Sequence, residues 1–335
     1  MLVSVVILNY NSEAFLERCL KSIRQCRTQH VPEILVIDNG SRQVRTMRRI
    51  CAELGVDRVV ENSTNIGVAA ARNQGVRKSA GDLICTLDVD TIVTAGALDE
   101  LTRVAHDPAV GVCGPQLRFP DGALQFTCRQ FPTIYTKLLR LRPGYDVFGA
   151  LEVEEMRATN HSVGMQVDWV IGACQCYSRA VFEELGGYTV FSRFGSEDVD
   201  FCLRTWLSGR RVQYVPSAVI LHDEQRAARG KNRSLTASHL VSLMKFFTTH
   251  GYGLSRRRLY RRIAERNPYF ARTPGEYSIA PGWESSLANL ASATAEQHDE
   301  GGQPHTEGDA TGLDRILRVC GKGRSEVSRG GATRP

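Results

Sequence analysis

From residue 3 to about residue 116 the chain alternates short β-branched runs with stretches whose apolar residues recur every three or four positions, and few folds accommodate that alternation. It is the pattern of a mostly parallel central sheet flanked by helices, an α/β fold. Strands are predicted over 3–8, 34–37, 58–61, 83–87 and 110–114, and helices over 13–25, 43–54, 68–78 and 95–106. In the first helix Phe15, Cys19, Leu20 and Ile23 supply the apolar stripe. The strands end where the sequence turns polar, at Asn9, Asp38, Asn62 and Asp88. In an open α/β sheet the ligand lies beyond the carboxyl ends of the strands, so these residues should gather at one functional edge.

The regular alternation fades over 117–166, where Pro120-Asp121-Gly122 signals a hairpin turn. Beyond it a strand is expected over 167–178, a short helix over 180–185 ended by Gly186-Gly187, a helix over 198–207 and a strand over 211–215. A single core domain over 1–225 follows from this reading, with a helical, arginine-rich extension over 226–272. From 273 to 335 the chain is rich in Gly, Ser, Ala, Glu and Arg, and too poor in apolar residues to offset its ordering entropy, so a disordered tail is expected. There is no internal repeat.

The first strand opens the sequence with no basic leader before it, and no apolar run nears the roughly 20 residues that cross a bilayer. A cytoplasmic protein is therefore expected. The ten cysteines sit among apolar positions without the spacing that structural zinc requires. Cys174 and Cys176 alternate as two residues on one strand face would, which fits small buried hydrophobes. The net charge of +6 is modest and is concentrated in the block 256–262, a solvated face or a contact with an anionic surface rather than a nucleic-acid site.

Leu87-Asp88-Val89-Asp90 carries the strongest local chemistry. Strand alternation points the two carboxylates the same way, where they can meet a hard divalent cation together with phosphate oxygens. Alone, such a pair is more often a solvated turn that caps the next helix. Here it stands in order with Asp38-Asn39-Gly40-Ser41, Asn65-Ile66-Gly67, Arg72-Asn73 and Glu197-Asp198-Val199-Asp200.

Together these residues resemble family 2 glycosyltransferases of the A-type fold, in particular the bacterial rhamnosyltransferase-like branch. The resemblance runs from Val3-Ser4-Val5-Val6-Ile7-Leu8-Asn9-Tyr10-Asn11 through Gly172-Ala173-Cys174 and Gly186-Gly187-Tyr188 to His222. It implies an inverting transfer of a sugar, rhamnose among the candidates, from a nucleotide diphosphate donor to a hydroxyl of a glycan or lipid-linked acceptor in cell-surface glycan biosynthesis. It further implies that Asp38 accepts a hydrogen bond from a pyrimidine ring, with Asn9 and Asn11 lining the same pocket. Asn65, Gly67 and Arg72 would complete the nucleotide-sugar site. Asp90 would be the main ligand of a divalent cation, Mn or Mg, with Asp88 supporting it from the sugar or ribose side and His222 as a further ligand. Asp198 would be the catalytic base and Glu197 a contact to an acceptor or sugar hydroxyl. Trp169 is either an apolar platform for the acceptor or a core residue.

The branch often follows the late histidine with glycines, whereas this chain has Asp223-Glu224-Gln225-Arg226, which leaves donor and acceptor open. The Gln-x-x-Arg-Trp signature of processive synthases is absent, so one sugar per encounter is expected. A nucleotidylyltransferase would place a glycine-rich basic loop where Asn9-Tyr10-Asn11-Ser12 stands, and a dehydrogenase would want G-x-G-x-x-G there. A non-catalytic binder of glycan or nucleotide sugar is the other alternative, although it has no need of Asp88, Asp90, Glu197 and Asp198 together. Over 235–247, Leu240, Leu243, Met244 and Phe247 recur at helical spacing, and Arg256, Arg257, Arg258, Arg261 and Arg262 follow. This combination suits an interfacial anchor on an anionic membrane, at roughly 1 kcal/mol per basic residue. The stripe could equally pack on the catalytic domain.

Overall fold

Runs rich in valine and isoleucine, cut by polar or glycine breaks, form the strands, and the segments between them form helices. The computed structural model describes residues 2–26, 28–29, 31–140, 149–224 and 233–270, all within the compact unit Met1–Trp283. The predicted tail over 273–335 lies outside the described residues.

In chain order the elements are β1 (Val3–Asn9), α1 (Glu13–Gln25), β2 (Glu33–Asp38), α2 (Val44–Glu53), β3 (Arg58–Glu61), α3 (Val68–Lys78), β4 (Leu83–Asp88), β5 (Thr91–Val93), α4 (Ala97–Ala105) and β6 (Val110–Arg118). Then come β7 (Leu124–Gln125), β8 (Cys128–Arg129), α5 (Ile134–Arg140), α6 (Ala150–Glu154), β9 (Met165–Gln166), β10 (Trp169–Val170), β11 (Cys174–Ser178), α7 (Arg179–Glu184), α8 (Glu197–Leu207), β12 (Arg211–His222), α9 (Arg233–His250) and α10 (Arg257–Ala264). The main sheet runs β3-β2-β1-β4-β11-β6-β12-β5. Its first four strands are mutually parallel, as are β6 and β12, while β11 enters antiparallel between β4 and β6.

The register brings the polar strand ends together. Asn9 pairs with Asp38 and Leu8 with Asp88, so β1, β2 and β4 present their polar ends side by side. Antiparallel pairing of β12 with β5 sets His222 opposite Thr91, directly after Asp90. A slip of one residue in either pairing would turn these side chains to the other face.

Each face of the sheet has its own buried cluster. Val5 and Ile7 pack with Leu16, Leu20, Met47 and Leu101 on one side. Val6 and Leu35 pack with Phe201, Trp206, Phe246 and Ile263 on the other.

Three expectations are corrected. The strand predicted over 167–178 divides into β10 and β11, with residues 171–173 leaving the ladder beside the site. The strand predicted over 211–215 continues to His222, because β12 absorbs Pro216-Ser217-Ala218 as a register shift between Val215 and Val219. The apolar stripe of α9 divides as well. Leu243 and Phe247 are buried in the core cluster, whereas Leu240, Val241 and Met244 face solvent. Trp169 is a core residue whose indole N–H donates to the Gln130 carbonyl at 2.9 Å. Both Cys174 and Cys176 are buried, with the Cys174 sulfur 3.8 Å from that of Cys85. Among the described residues no helix is long and apolar enough to cross a membrane.

Candidate active site

Three acceptor groups meet at the carboxyl edge of the sheet. One ligand atom each of Asp88, Asp90 and His222 lies within 4.8 Å of the others. His222 Nε2 approaches Asp90 Oδ1 to 3.5 Å, and both side chains are largely enclosed. Two carboxylates and an imidazole nitrogen make a hard, mainly oxygen donor set, which suits a divalent cation such as Mn or Mg. Burial pushes the His222 pKa down, but its hydrogen bond to Asp90 and the charges of Asp90 and Asp88 outweigh that effect, leaving it above the ordinary value.

Arg72 joins this cluster to the other half of the site. It projects from α3, is only 3% exposed, and donates from Nη2 to Asp88 Oδ1 at 2.7 Å and to the Gly172 carbonyl at 2.7 Å. Its Nη1 donates to Glu197 Oε1 at 3.2 Å. Burial opposes the guanidinium charge, but Asp88 and Glu197 hold it protonated. These hydrogen bonds go to protein acceptors, so Arg72 orients two carboxylates, while its Nε is a buried donor without a partner. A Cβ at Gly172 would come within 2.8 Å of Arg72 Nη1, so a larger residue there would have to displace the guanidinium. The enclosed surroundings push the Asp88 pKa up, and the neighbouring Asp90 adds to this while Arg72 opposes it.

Glu197 and Asp198 open α8, where the unpaired amides of the first turn favour negative charge. Their settings differ. Glu197 is buried, and desolvation together with the Asp198 charge raises its pKa to about 7 against the pull of Arg72. Asp198 is partly open, and its Oδ2 accepts the Gly172 amide at 2.9 Å. The same glycine therefore gives its carbonyl to Arg72 and its amide to Asp198.

The predicted nucleotide pocket is held by buried polar contacts. Asn9 and Asp38 are both fully enclosed, and Asn9 Nδ2 donates to Asp38 Oδ1 at 2.9 Å and to Ser41 Oγ at 3.2 Å. The Ser41 amide donates to Asp38 Oδ2 at 3.0 Å, and Asn9 Oδ1 is a buried acceptor with no partner. Asn11 adopts a left-handed backbone (φ 51°) and accepts the Arg42 amide at 2.8 Å, which fixes the loop after β2. Asn65 Oδ1 accepts from Asn39 Nδ2 at 3.1 Å and from the Gly67 amide at 2.9 Å. At Gly67, φ is 92° and a Cβ would lie 2.8 Å from the Arg193 carbonyl, so only glycine lets the 189–196 loop approach this closely.

Three participants escaped the sequence reading. Asn39 and Ser41 belong to the quoted Asp38-Asn39-Gly40-Ser41 run, and their side chains carry contacts that shape the pocket. Gln125 lies in the segment without a motif, yet it contacts His222 twice.

Comparison with known proteins fits this geometry. Residues 4–186, more than half of the chain, match the sequence profile described as glycosyl transferase family 2. The chain is 27% identical over 266 residues to an N-acetylglucosaminyl-diphospho-decaprenol L-rhamnosyltransferase of Mycobacterium tuberculosis, covering 74% of this chain and 85% of that protein. It is 24% identical over 234 residues to an O-antigen chain rhamnosyltransferase of Salmonella typhimurium, covering 68% of each. Its fold matches a mannosyltransferase of Pyrobaculum calidifontis solved with GDP-Man and Mn2+, with a TM-score of 0.54 and 18% identity over 96% of this chain and 79% of that one. The architecture is that of the glycosyltransferase A-type fold.

Proposed function

The chain belongs to glycosyl transferase family 2, and we propose that it is an inverting, metal-dependent glycosyltransferase that moves rhamnose from a nucleotide diphosphate donor to a hydroxyl of a lipid-linked acceptor in cell-surface glycan assembly. Rhamnose is suggested by the names of both rhamnosyltransferase relatives, and the lipid-linked acceptor by the diphospho-decaprenol in the name of the Mycobacterium tuberculosis one. The observation that carries the reading is the meeting of Asp88, Asp90 and His222, tied through Arg72 to the acidic start of α8.

Asp90, Asp88 and His222 would hold the cation. A divalent ion bound there supplies positive charge against the departing diphosphate. Asp38, Asn9 and Asn11 line the pocket for the base, and the buried, unpartnered Asn9 Oδ1 offers an acceptor beside it. Asp198, held by the Gly172 amide, takes the proton of the acceptor hydroxyl as its oxygen attacks the anomeric carbon and the bond to the diphosphate breaks. One displacement inverts the anomeric centre. Glu197 braces Arg72 and so keeps Asp88 in place.

We further propose contact with an anionic membrane surface, through which a lipid-linked acceptor would arrive. The exposed Leu240, Val241 and Met244 of α9 and the exposed Arg257, Arg258 and Arg261 of α10 support it.

The proposal is tested with dTDP-, UDP- and GDP-sugars, reading released nucleotide with and without manganese, and with calorimetric titration of the active donor into Asp90→Ala. Removing that carboxylate leaves the diphosphate charge uncompensated, so manganese-dependent donor binding should vanish. Unchanged, manganese-dependent affinity in the variant would sink the metal assignment.

A further inference from the structure

Gln125 occupies the two-residue strand β7, placed by the turn at 119–123 and by antiparallel pairing with β6, in which Gln125 lies opposite Leu117. It is buried, and both ends of its amide are spent on one partner. Nε2 donates to the His222 backbone carbonyl at 2.7 Å, while Oε1 lies 2.9 Å from His222 Nδ1.

This pairing dictates where the imidazole proton sits. A backbone carbonyl only accepts, so the amide nitrogen must be the atom facing it, and the opposite amide orientation would set two oxygens against each other. The orientation puts Oε1, which also only accepts, against Nδ1. Nδ1 must therefore carry the proton, and in the neutral ring Nε2 is left with a bare lone pair. That nitrogen faces Asp90, 3.5 Å away, within the cluster completed by Asp88.

We propose that Gln125 is a positioning residue of the metal site, selecting the Nδ1–H tautomer of His222 and aiming Nε2 at the point where Asp88 and Asp90 converge. The inference rests on the metal site proposed above. An outer partner that fixes the tautomer and orientation of a histidine ligand typically contributes about 10- to 100-fold to metal affinity. The reciprocal hydrogen bond to the carbonyl of the same residue also anchors the end of β12, so backbone and ring are held by one side chain. The sequence offers no sign of this, since Gln125 and His222 are 97 residues apart.

Two readouts test it. Long-range 1H–15N spectra of the full chain without metal, at a pH where the ring is neutral and with His222 assigned by His222→Ala, should give the Nδ1–H pattern. An Nε2–H pattern in the unsubstituted protein overturns the proposal and requires no variant to fold. Free Mn2+ followed by paramagnetic resonance should then show affinity weakened about 10- to 100-fold in Gln125→Leu. Affinity equal to the parent in a folded Gln125→Leu chain would overturn it as well. The companion variants Asp90→Ala and His222→Ala separate the two ideas. If both bind Mn2+ as the parent does, it is the metal-site reading that fails, whereas weakening in these two but not in Gln125→Leu removes only the role of Gln125.

Discussion

Glu197 and Asp198 are adjacent in sequence, yet one turns into the protein against Arg72 and the other stays partly open beneath the Gly172 amide. That difference supports the roles proposed for them. Asp198→Asn preserves the shape but removes the proposed proton acceptor, so turnover should fall by about 10² or more while donor affinity holds. Single-turnover rates set beside donor titrations check this, and near-normal turnover would move the base elsewhere. For Glu197 the prediction concerns stability. Its folded pKa of about 7 lies above the ordinary 4.5, so between these values the folded chain keeps a proton that the unfolded chain has lost. The stability due to that proton is complete below about pH 4.5 and is lost as pH rises through about 7. Glu197→Gln has no such proton to lose, so its stability relative to the parent should rise across this window in denaturant titrations. A constant offset would argue that Glu197 stays ionised throughout. At this scale the acidic pairs were legible in the sequence, because carboxylates that end an apolar strand or open a helix are conspicuous. The pairing of Arg72 with both of them was not, since partners 16 and 125 residues away leave no local pattern.

Among the elements, α9 carries two duties that one periodic stripe could not separate. Leu243 and Phe247 turn into the core, and Leu240, Val241 and Met244 turn outward. Lys245 donates to the Phe191 carbonyl at 2.8 Å, and Ser192 Oγ donates to the Ser238 carbonyl at 2.8 Å, so the helix also braces the 189–196 loop before α8. The arginines divide in the same way. Arg256 is half-buried and donates to the Phe131 carbonyl, while Arg257, Arg258 and Arg261 are exposed. The proposed lipid contact would therefore fall to the outward residues. Replacing Leu240, Val241 and Met244 with Gln, or the three exposed arginines with Gln, should reduce flotation with anionic vesicles, and salt should weaken the parent as well. Neutral vesicles should not bind. Equal soluble recovery with both vesicle types at low salt would defeat the membrane reading.

Across the whole molecule, residues 233–270 are joined to the same buried cluster as the sheet. Phe246, Ile263 and Phe270 share it with Phe201 and Trp206, and Asn267 Nδ2 donates to the Trp206 carbonyl at 2.8 Å. Phe246→Ala should therefore cost the entire unit about 3–5 kcal/mol, not only the end of the chain. Denaturant unfolding followed by tryptophan fluorescence should shift together with loss of donor binding. A tryptophan signal that keeps its midpoint would mean that 233–270 unfolds separately. What the sequence by itself determined was local. Hydrophobic period set most strands and helices, and polar strand ends marked the functional edge, because both depend on residues within a turn or a strand of one another. The tertiary structure alone decided the rest. It broke the strand predicted over 167–178 beside Arg72 and carried β12 on to His222. It also fitted Gln125 to that histidine and divided the face of α9 between core and solvent. Each of these depends on which distant backbone lies alongside, and that is set by strand order and register in the assembled sheet.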